Sequence, residues 1–242
     1  LSLLHLATHT SGLKKNPLTS YKRYSSYLSK VQLDYVPGKK WEYNNMGVSL
    51  LAELIAEKNN SSWSDVLREN ILKPLEMTNT YSNMREASEA CRVQCMQKNG
   101  TKGDCYFHKM GSFHWASGGI ISNVDDMTKW LKANLNEKVE PELAFIQNAH
   151  DPLGDTIAIQ WFTRHRPTQG IVWWHYRGKS GRRIIGHAGE MPQQSSFMAM
   201  DKEKRRGIII LTNVNGSKLF IDPETSEMSS RKIVLALDIL DL

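Results

Sequence analysis

The spacing of the hydrophobic residues changes at about residue 155, and this change constrains the fold more than any other feature of the sequence. Before it, apolar residues recur at helical spacing, as in Val48, Leu51 and Ile55. After it, short apolar runs alternate with turns. The run 208–211 is apolar on both faces, which is typical of a strand in the middle of a sheet. The pattern predicts an α/β (α+β) fold, in which an antiparallel sheet is flanked by helices.

Local signals predict where the main elements begin and end. We predict a helix over 45–58, a second that begins at the capping box of Ser62, a third that begins at Ser122, and a closing helix over 229–240. Strands are predicted over 157–162, 171–176, 183–187, 195–200 and 207–212.

These elements predict one domain over residues 1–242, because a chain of 242 residues with 40% apolar content can bury one large core, alone or with a subdomain leaning on it. Residues 1–150 are predicted to be mostly helical, and residues 151–242 to hold the sheet and the C-terminal helix. The polar stretch 84–113 has weak periodicity. We interpret it as an insertion or lid.

The net charge of +6 raises the question of a nucleic-acid partner. The basic residues fall mainly in 177–183 and 202–206, where turns between strands are predicted, and no aromatic platform or nucleic-acid motif accompanies them. We interpret these patches as a solvated rim and expect no nucleic-acid partner. No apolar run approaches the roughly 18 to 20 residues of a membrane span, so none is expected in this chain.

The three cysteines, Cys91, Cys95 and Cys105, lie within the polar stretch. One disulfide with one spare thiol is the favoured interpretation, while free thiols and a metal site that includes His108 stay open. Four Asn-x-Ser/Thr triplets also occur in the sequence. Together these features favour an extracytoplasmic protein, secreted or periplasmic, over an intracellular one.

Three segments form an ordered set of motifs: LATHTSGL at 6–13, PGKKWEYNN at 37–45 and GHAGEMP at 186–192. In this order and spacing they resemble the serine β-lactamase and penicillin-binding-protein superfamily, and within it the class-C-like branch of esterases, D-peptidases and carboxypeptidases. The resemblance covers nearly the whole chain apart from 84–113. It implies a β-lactamase-like fold and a serine acyl-hydrolase that acts through an acyl-enzyme on an ester, peptide or small-molecule substrate, without metal or cofactor.

The resemblance also implies roles for individual residues. Tyr43 would relay the proton, Asn45 would position the substrate, and the Glu190 N–H would supply half of an oxyanion hole. His187 stands where the family commonly has lysine, so it would support binding or proton transfer. Because histidine is largely neutral at pH 7, this change favours less strictly anionic substrates than penicillins. The substrate pocket would be lined by Trp41, Ala188, Gly189, Met191 and Gln194.

Without the resemblance, the second motif has a plainer interpretation. Asn44 or Asn45 could be a helix N-cap, with Tyr43 as a packing residue. Trp41 could equally belong to the core.

In the family, a Ser-x-x-Lys helix precedes the first motif, whereas this sequence begins at Leu1 inside that region. We expect the nucleophilic serine to lie upstream, the chain to be N-terminally truncated and inactive alone, and a separate N-terminal segment to be able to restore the serine. The alternative is a non-catalytic binding or scaffold protein that keeps the same fold.

Two segments fit Ser-x-x-Lys literally, and one His pair has metal-ligand spacing. We reject Ser11-x-x-Lys14 because Gly12 disfavours a helix there, and Ser229-x-x-Lys232 because it follows the third motif at a predicted helix start. The pair His5 and His9 lacks the adjacent glutamate of zinc proteases, so a structural role is favoured.

Overall fold

The computed structural model describes residues 1–14, 26–83, 86–87, 93–97, 99–103, 112–136, 140–153, 157–159, 167–191, 193–214, 219–221 and 228–241. The chain forms two compact units. The first comprises Leu1–Cys91 and Phe107–Asp126, and the second comprises Arg92–Tyr106 and Met127–Leu242.

The first unit contains helices joined by loops, with an isolated bridge between Tyr81 and Ile121. Its helices are α1 (Leu3–Ala7), α2 (Asn45–Lys58), α3 (Trp63–Leu67) and α4 (Trp115–Gly118). A π-helical turn, Arg68–Leu72, extends α3, and a 3₁₀ turn, Ser112–His114, precedes α4. The core of this unit contains Leu6, Leu13, Met46, Leu50 and Phe113. It therefore joins α1 and the segment after it to the first half of α2.

The predicted cap of α3 is confirmed. The cap predicted for the helix that follows Ser122 is wrong by one residue. The Asp65 amide donates to Ser62 Oγ at 3.1 Å. Helix α5 (Val124–Leu135) has its first-turn Asp126 amide bonded to Asn123 Oδ1 at 2.9 Å. Ser122, which the sequence favoured as the cap, instead pairs its hydroxyl with Thr80 at 2.7 Å. An asparagine nearer the first turn takes the role.

The second unit contains a five-stranded antiparallel sheet, as predicted, with its strands in chain order. The strands are β1 (Thr168–Gln169), β2 (Trp174–Arg177), β3 (Arg183–Met191), β4 (Gln194–Asp201) and β5 (Arg206–Thr212). Before the sheet, a 3₁₀ turn (Pro141–Leu143) leads into α6 (Phe145–Asn148). After it, β6 (Leu219–Ile221) pairs with β7 (Met228–Ser230), and α7 (Arg231–Asp241) closes the chain.

Both faces of the sheet are covered. On one face, Leu131 of α5 packs against Ile185, Met198 and Met200. Alternation along β4 turns Phe197 to the opposite face, where α7 packs against β4 and β5. The unit therefore has three layers, helix on sheet on helix, which confirms the predicted arrangement.

Several predicted boundaries differ from the structure. The strand predicted over 171–176 begins only at Trp174, because Val172 has a φ of 66° and turns the chain. Strand β3 continues through the third motif to Met191 rather than ending at His187. Ser229, predicted at a helix start, lies in β7.

Two predicted segments lie partly outside the described residues. Of the strand over 157–162, residues 157–159 are described, and Ala158 forms an isolated bridge with Thr168. Of the polar stretch 84–113, residues 93–97 and 99–103 belong to the second unit, where Met96 bridges Val214. This section of the predicted lid makes an isolated bridge just after β5 and lies outside the five-stranded sheet. No helix in the described ranges is long and apolar enough to cross a membrane.

Candidate active site

The first motif folds back on the second through backbone hydrogen bonds within the first unit. His9 has a φ of 56°, which turns the chain sharply after α1. Its carbonyl accepts from the Glu42 amide at 2.8 Å, and the Thr10 carbonyl accepts from the Gly38 amide at 2.9 Å. Gly12 also has a positive φ, 72°, and a Cβ there would lie 2.3 Å from the Tyr35 carbonyl oxygen. The motif's glycine is therefore required by both conformation and space.

Tyr43 lies in an aromatic cluster with two residues of these motifs. Its ring is 4.3 Å from that of His9 and 6.4 Å from that of Trp41, measured between centroids. Trp41 is only 7% exposed, as its alternative interpretation as a core residue requires. Burial raises the pKa of the Tyr43 phenol above its ordinary value. Within the described chain, this side chain is thus held as a neutral phenol at pH 7.

Asn44 and Asn45 have different environments although they are adjacent. Asn44 is the N-cap of α2: its Oδ1 accepts from the amides of Met46 and Gly47 at 3.0 and 3.2 Å. Its Nδ2 donates to the Leu13 carbonyl at 2.7 Å, and its own amide donates to His9 Nδ1 at 3.1 Å. Asn45 is the first residue of the helix and is exposed. The cap role predicted for one of the pair thus belongs to Asn44. The side-chain amide of Asn45 stays accessible.

His187 lies in β3, in register with Met198 of β4. Its ring is 4.5 Å from the Trp174 ring, between centroids, on the neighbouring strand. Burial lowers the pKa of His187 to about 4, and a hydrogen bond with the Ala188 backbone opposes this shift. The imidazole is therefore neutral at pH 7, as expected from its type.

The end of β3 approaches β4 and α7 closely. A Cβ on Gly189 would lie 2.4 Å from Ser196 Oγ, its register partner's hydroxyl. The Gly189 carbonyl accepts from Lys232 Nζ at 3.4 Å, and the same ammonium forms an ion pair with the Glu190 carboxylate. Lys232 keeps 9% of its side chain exposed. A cation thus lies beside the third motif, but its charge is balanced by Glu190.

The sequence gives no signal for the position of Lys232, which stands in it only as the last residue of a false Ser-x-x-Lys match. It lies 42 residues from Glu190, so no local pattern could bring the two together. Only the packing of α7 on the sheet does so.

The remaining predicted pocket residues lie along the same strand pair. Ala188 pairs with Phe197, and Met191 pairs with Gln194. The side-chain amide of Gln194 donates to Cys95 Sγ at 3.2 Å. Cys91 and Cys105 lie outside the described residues, as does His108.

The sites rejected from the sequence have other structural roles. Ser11 Oγ accepts from the Leu13 amide at 3.3 Å in a non-helical segment, so Lys14 does not lie one helical turn away. His5 Nδ1 lies 3.1 Å from the amide of Ser2 in the capping box of α1. Within the ranges that the structure describes, no group of three or more His, Cys, Asp or Glu residues could hold a metal ion.

The structure brings the predicted residues together in two groups, one in each unit. Tyr43 and Trp41 share a cluster with His9 in the first unit. His187, Gly189 and Glu190 share a strand end with Lys232 in the second.

Two curated bacterial proteins are similar to the chain. It is 25% identical over 237 residues to the D-alanyl-D-alanine-carboxypeptidase/endopeptidase AmpH of Escherichia coli, covering 87% of this chain and 58% of that protein. It is 24% identical over 195 residues to Protein flp of Staphylococcus aureus, covering 76% of this chain and 35% of that protein. The chain thus spans between about a third and three fifths of the length of these relatives.

Among solved structures, a class C β-lactamase superimposes with a TM-score of 0.75 at 17% identity, covering 99% of this chain and 68% of that one. This likeness shows a β-lactamase fold. The Beta-lactamase family model matches residues 1–226, nearly the whole chain and all three motifs. The chain therefore belongs to the Beta-lactamase family, whose members are serine hydrolases.

Proposed function

We propose that the chain is the larger part of a serine acyl-hydrolase, an esterase, peptidase or amidase that works through an acyl-enzyme. The observation that carries this proposal is the position of Tyr43: its ring lies 4.3 Å from that of His9, the next residue, Asn44, donates to the same imidazole, and Asn45 is exposed. The ring contact with His9 and the hydrogen bond from the adjacent Asn44 to the same imidazole hold Tyr43 in place. A proton relay beside a substrate-binding amide needs such a fixed position.

In the proposed mechanism, Tyr43 accepts the proton of the serine as the hydroxyl attacks the substrate carbonyl, and then returns it to the leaving group. Burial raises the pKa of its phenol, so a phenolate needs a nearby cation. The lysine of a Ser-x-x-Lys helix is the cation that would meet this need. Asn45 would bind the substrate carbonyl, and the N–H of Glu190 would donate to the developing oxyanion.

The charges near the third motif support an uncharged or weakly anionic substrate. His187 is neutral at pH 7 because its pKa is about 4, and Lys232 is paired with Glu190. His187 therefore carries no charge that could hold a substrate carboxylate, and the charge of Lys232 is balanced by Glu190. Ala188, Gly189, Met191 and Gln194 would line the pocket beside them.

We propose further that the nucleophile lies upstream of Leu1, on this polypeptide or on a separate segment, and that residues 1–242 alone are inactive. Ser11 does not fit the role, because its segment is not helical. An extracytoplasmic location is proposed as well, with one disulfide among Cys91, Cys95 and Cys105 and one spare thiol.

Labelling with a fluorophosphonate probe, followed by intact mass and peptide mapping, tests the proposal on the protein isolated from its source. We expect one adduct, on a serine upstream of Leu1, and no adduct on residues 1–242 expressed alone. An adduct on a serine within 1–242 would overturn the upstream assignment. A folded source protein without any adduct would favour the non-catalytic binding or scaffold function.

Tyr43→Phe tests the relay in the source protein. We expect kcat to fall by about 10² to 10⁴-fold, with a smaller change in KM, since the phenol acts in the transition state. Tyr35→Phe, a phenol outside the proposed machinery, is the matched control. Equal kcat values for the two variants would exclude Tyr43 as the relay.

A further inference from the structure

The side chain of Lys232 reaches one particular peptide group of the third motif. Its Nζ donates to the Gly189 carbonyl oxygen at 3.4 Å and forms an ion pair with the Glu190 carboxylate. The Gly189 carbonyl and the Glu190 N–H belong to the same peptide group, because Glu190 follows Gly189 in the chain. One ammonium therefore holds this peptide group both by its carbonyl and by the side chain of the residue that supplies its N–H.

The sheet alone supports this peptide group on one side. Strand β2 pairs with β3 from Arg183 to Gly186, whereas the pairing of β3 with β4 continues to Met191. Within the ranges that the structure describes, residues 187–191 are therefore paired on the β4 side only. Gly189 has no side chain that packing could hold. The contact from Lys232 supplies a second support at this point of the strand.

The location of Lys232 in α7 is not explained by the stability of the helix itself. Lys232 is the second residue of α7, and the first turn contains no acidic residue. The helix macrodipole places partial positive charge at this end, so a lysine here is unfavourable for the helix. The contacts with Gly189 and Glu190 are the favourable interactions that offset this cost.

Helix α7 gives the ammonium a fixed base. Ile233, next to Lys232, and Leu237, one turn later, are buried, and the helix packs against β4 and β5. At the other end of the helix, Arg182 Nη2 donates to the Asp241 carbonyl at 2.8 Å. The Lys232 side chain is itself only 9% exposed. Packing removes much of the freedom of a long side chain, so its ammonium stays beside the motif.

We propose that Lys232 is a positioning residue for the hydrolase reaction, a role that rests on the proposed function, in which the Glu190 N–H binds the oxyanion. In a trans peptide the carbonyl oxygen and the N–H point in opposite directions. A cation on the Gly189 oxygen therefore fixes the direction of the Glu190 N–H and leaves the space in front of it open. It also polarises the amide, which makes the N–H a stronger donor to a developing oxyanion.

Lys232 also balances the charge of Glu190. The carboxylate of Glu190 belongs to the residue whose N–H is the proposed oxyanion donor, and an unpaired carboxylate there would repel a developing oxyanion. The ion pair with Lys232 reduces this repulsion. Loss of Lys232 therefore removes a favourable contact and leaves an unfavourable charge beside the reacting group.

Hydrolysis of p-nitrophenyl acetate by the source protein tests this role. Lys232→Met keeps a side chain of similar length but removes the ammonium. We expect kcat and kcat/KM to fall together by about 10- to 30-fold at nearly constant KM, because the lost interaction acts in the transition state. The loss stays below the roughly 10²- to 10³-fold of a deleted oxyanion donor, since the N–H remains. Unchanged kcat in a protein that Tyr43→Phe inactivates would overturn the role of Lys232 and leave the proposed function standing.

Two further variants separate the charge from the contact. Lys232→Arg keeps a cation with several donors and should retain at least about a third of kcat. If it lost as much as Lys232→Met, a packing role would explain both losses and the positioning role would be wrong. Combining Lys232→Met with Glu190→Gln removes both charges, so kcat should recover about threefold relative to Lys232→Met. No recovery would overturn the charge-balancing role.

Lys179→Met is the matched control. Lys179 Nζ forms an ion pair with Asp238 of α7 at 3.0 Å, so this substitution also removes a lysine that contacts the helix. Lys179 precedes Arg183, the first residue of β3, and that residue is roughly 23 Å from Glu190 at about 3.3 Å per residue. We expect kcat to stay at the wild-type value. An equal loss in Lys179→Met and Lys232→Met would trace the effect to a loosened α7 and overturn the role.

The contact itself is measurable by NMR without any catalysis. The ¹³C signal of the Gly189 carbonyl and the amide proton signal of Glu190 should both shift upfield in Lys232→Met, because the carbonyl loses its donor and the amide becomes less polarised. Neither signal should shift in Lys179→Met. Unchanged signals in Lys232→Met would overturn the contact. A source protein with these shifts but without hydrolase activity would overturn the proposed function, and the positioning role with it.

Discussion

The two groups of site residues are held in place by different kinds of interaction. In the first unit, the turn before α2 depends on single side chains that bond to backbone, above all Asn44, and on Gly12 with its positive φ. In the second unit, His187 to Glu190 belong to a strand that is paired with β4. A turn with few, specific contacts fails when one is lost. A paired strand shares the loss among neighbouring residue pairs.

The largest loss of stability is expected at Gly12, where an added side chain would clash with the backbone. Gly12→Ala forces a Cβ into a φ of 72° and to within 2.3 Å of the Tyr35 carbonyl oxygen. We expect the free energy of unfolding to fall by about 3–4 kcal/mol in urea denaturation. Gly100→Ala is the control, because Gly100 has a φ of 82° but nothing within 4 Å. It should cost only about 1 kcal/mol, and equal losses would show that the close contact is irrelevant.

The second effect separates two adjacent asparagines. Asn44→Ala removes the cap of α2 and the bond to the Leu13 carbonyl, so the free energy of unfolding should fall by about 2 kcal/mol. Asn45→Ala should change it by less than about 0.5 kcal/mol, since Asn45 is exposed. The proposed function predicts the opposite order for activity. Urea denaturation and hydrolase assays on both variants would contradict this assignment if Asn45→Ala destabilised the protein more.

A smaller loss of stability is expected at Gly189 in β3, where an added Cβ would clash with a side chain. Gly189→Ala brings a Cβ to within 2.4 Å of Ser196 Oγ and should lower the free energy of unfolding by about 1–2 kcal/mol. Adding Ser196→Ala removes that hydroxyl and should restore about half of the loss, measured as the coupling in a double-mutant cycle. Strictly additive losses would place the strain elsewhere.

The pH dependence of stability tests the strand environment itself. The folded-state pKa of His187 is about 4, below its ordinary value of about 6.5, so between these pH values the unfolded chain binds more protons. Its contribution is complete above about pH 6.5 and is lost as the pH falls toward 4. His187→Asn should therefore flatten the fall in unfolding free energy between about pH 6.5 and 4.5. A residual slope should remain, because His150 has a similarly lowered pKa.

An NMR titration of the His187 ring protons measures the folded-state pKa of His187 directly. The midpoint should lie near pH 4, and a midpoint near about 6.5 would show that the ring is solvated. In that case the imidazole would gain charge just below neutral pH and could attract an anionic substrate.

Some of the fold was predictable because it depends on local chemistry. Helix α2 and the cap at Ser62 follow from spacing and from side chains within three residues. The antiparallel sheet follows from short apolar runs joined by short turns. The start of β2 did not follow, because nothing in the sequence around Val172 shows that the residue adopts a φ of 66°. Likewise, the sequence favoured Ser122 as a cap although Asn123 takes that role.

By itself, the sequence determined the family, the order of the three motifs and the residue types that would act in them, because these are properties of letters and spacing. Only the tertiary structure decided how the pKa values of these groups shift and which charged groups lie together. The pKa of Tyr43 and His187 depends on burial by residues distant in sequence. The pairing of Lys232 with Glu190 and its contact with the Gly189 carbonyl depend on how α7 packs on the sheet. Electrostatic interactions act through space, so they become defined only when the chain has folded.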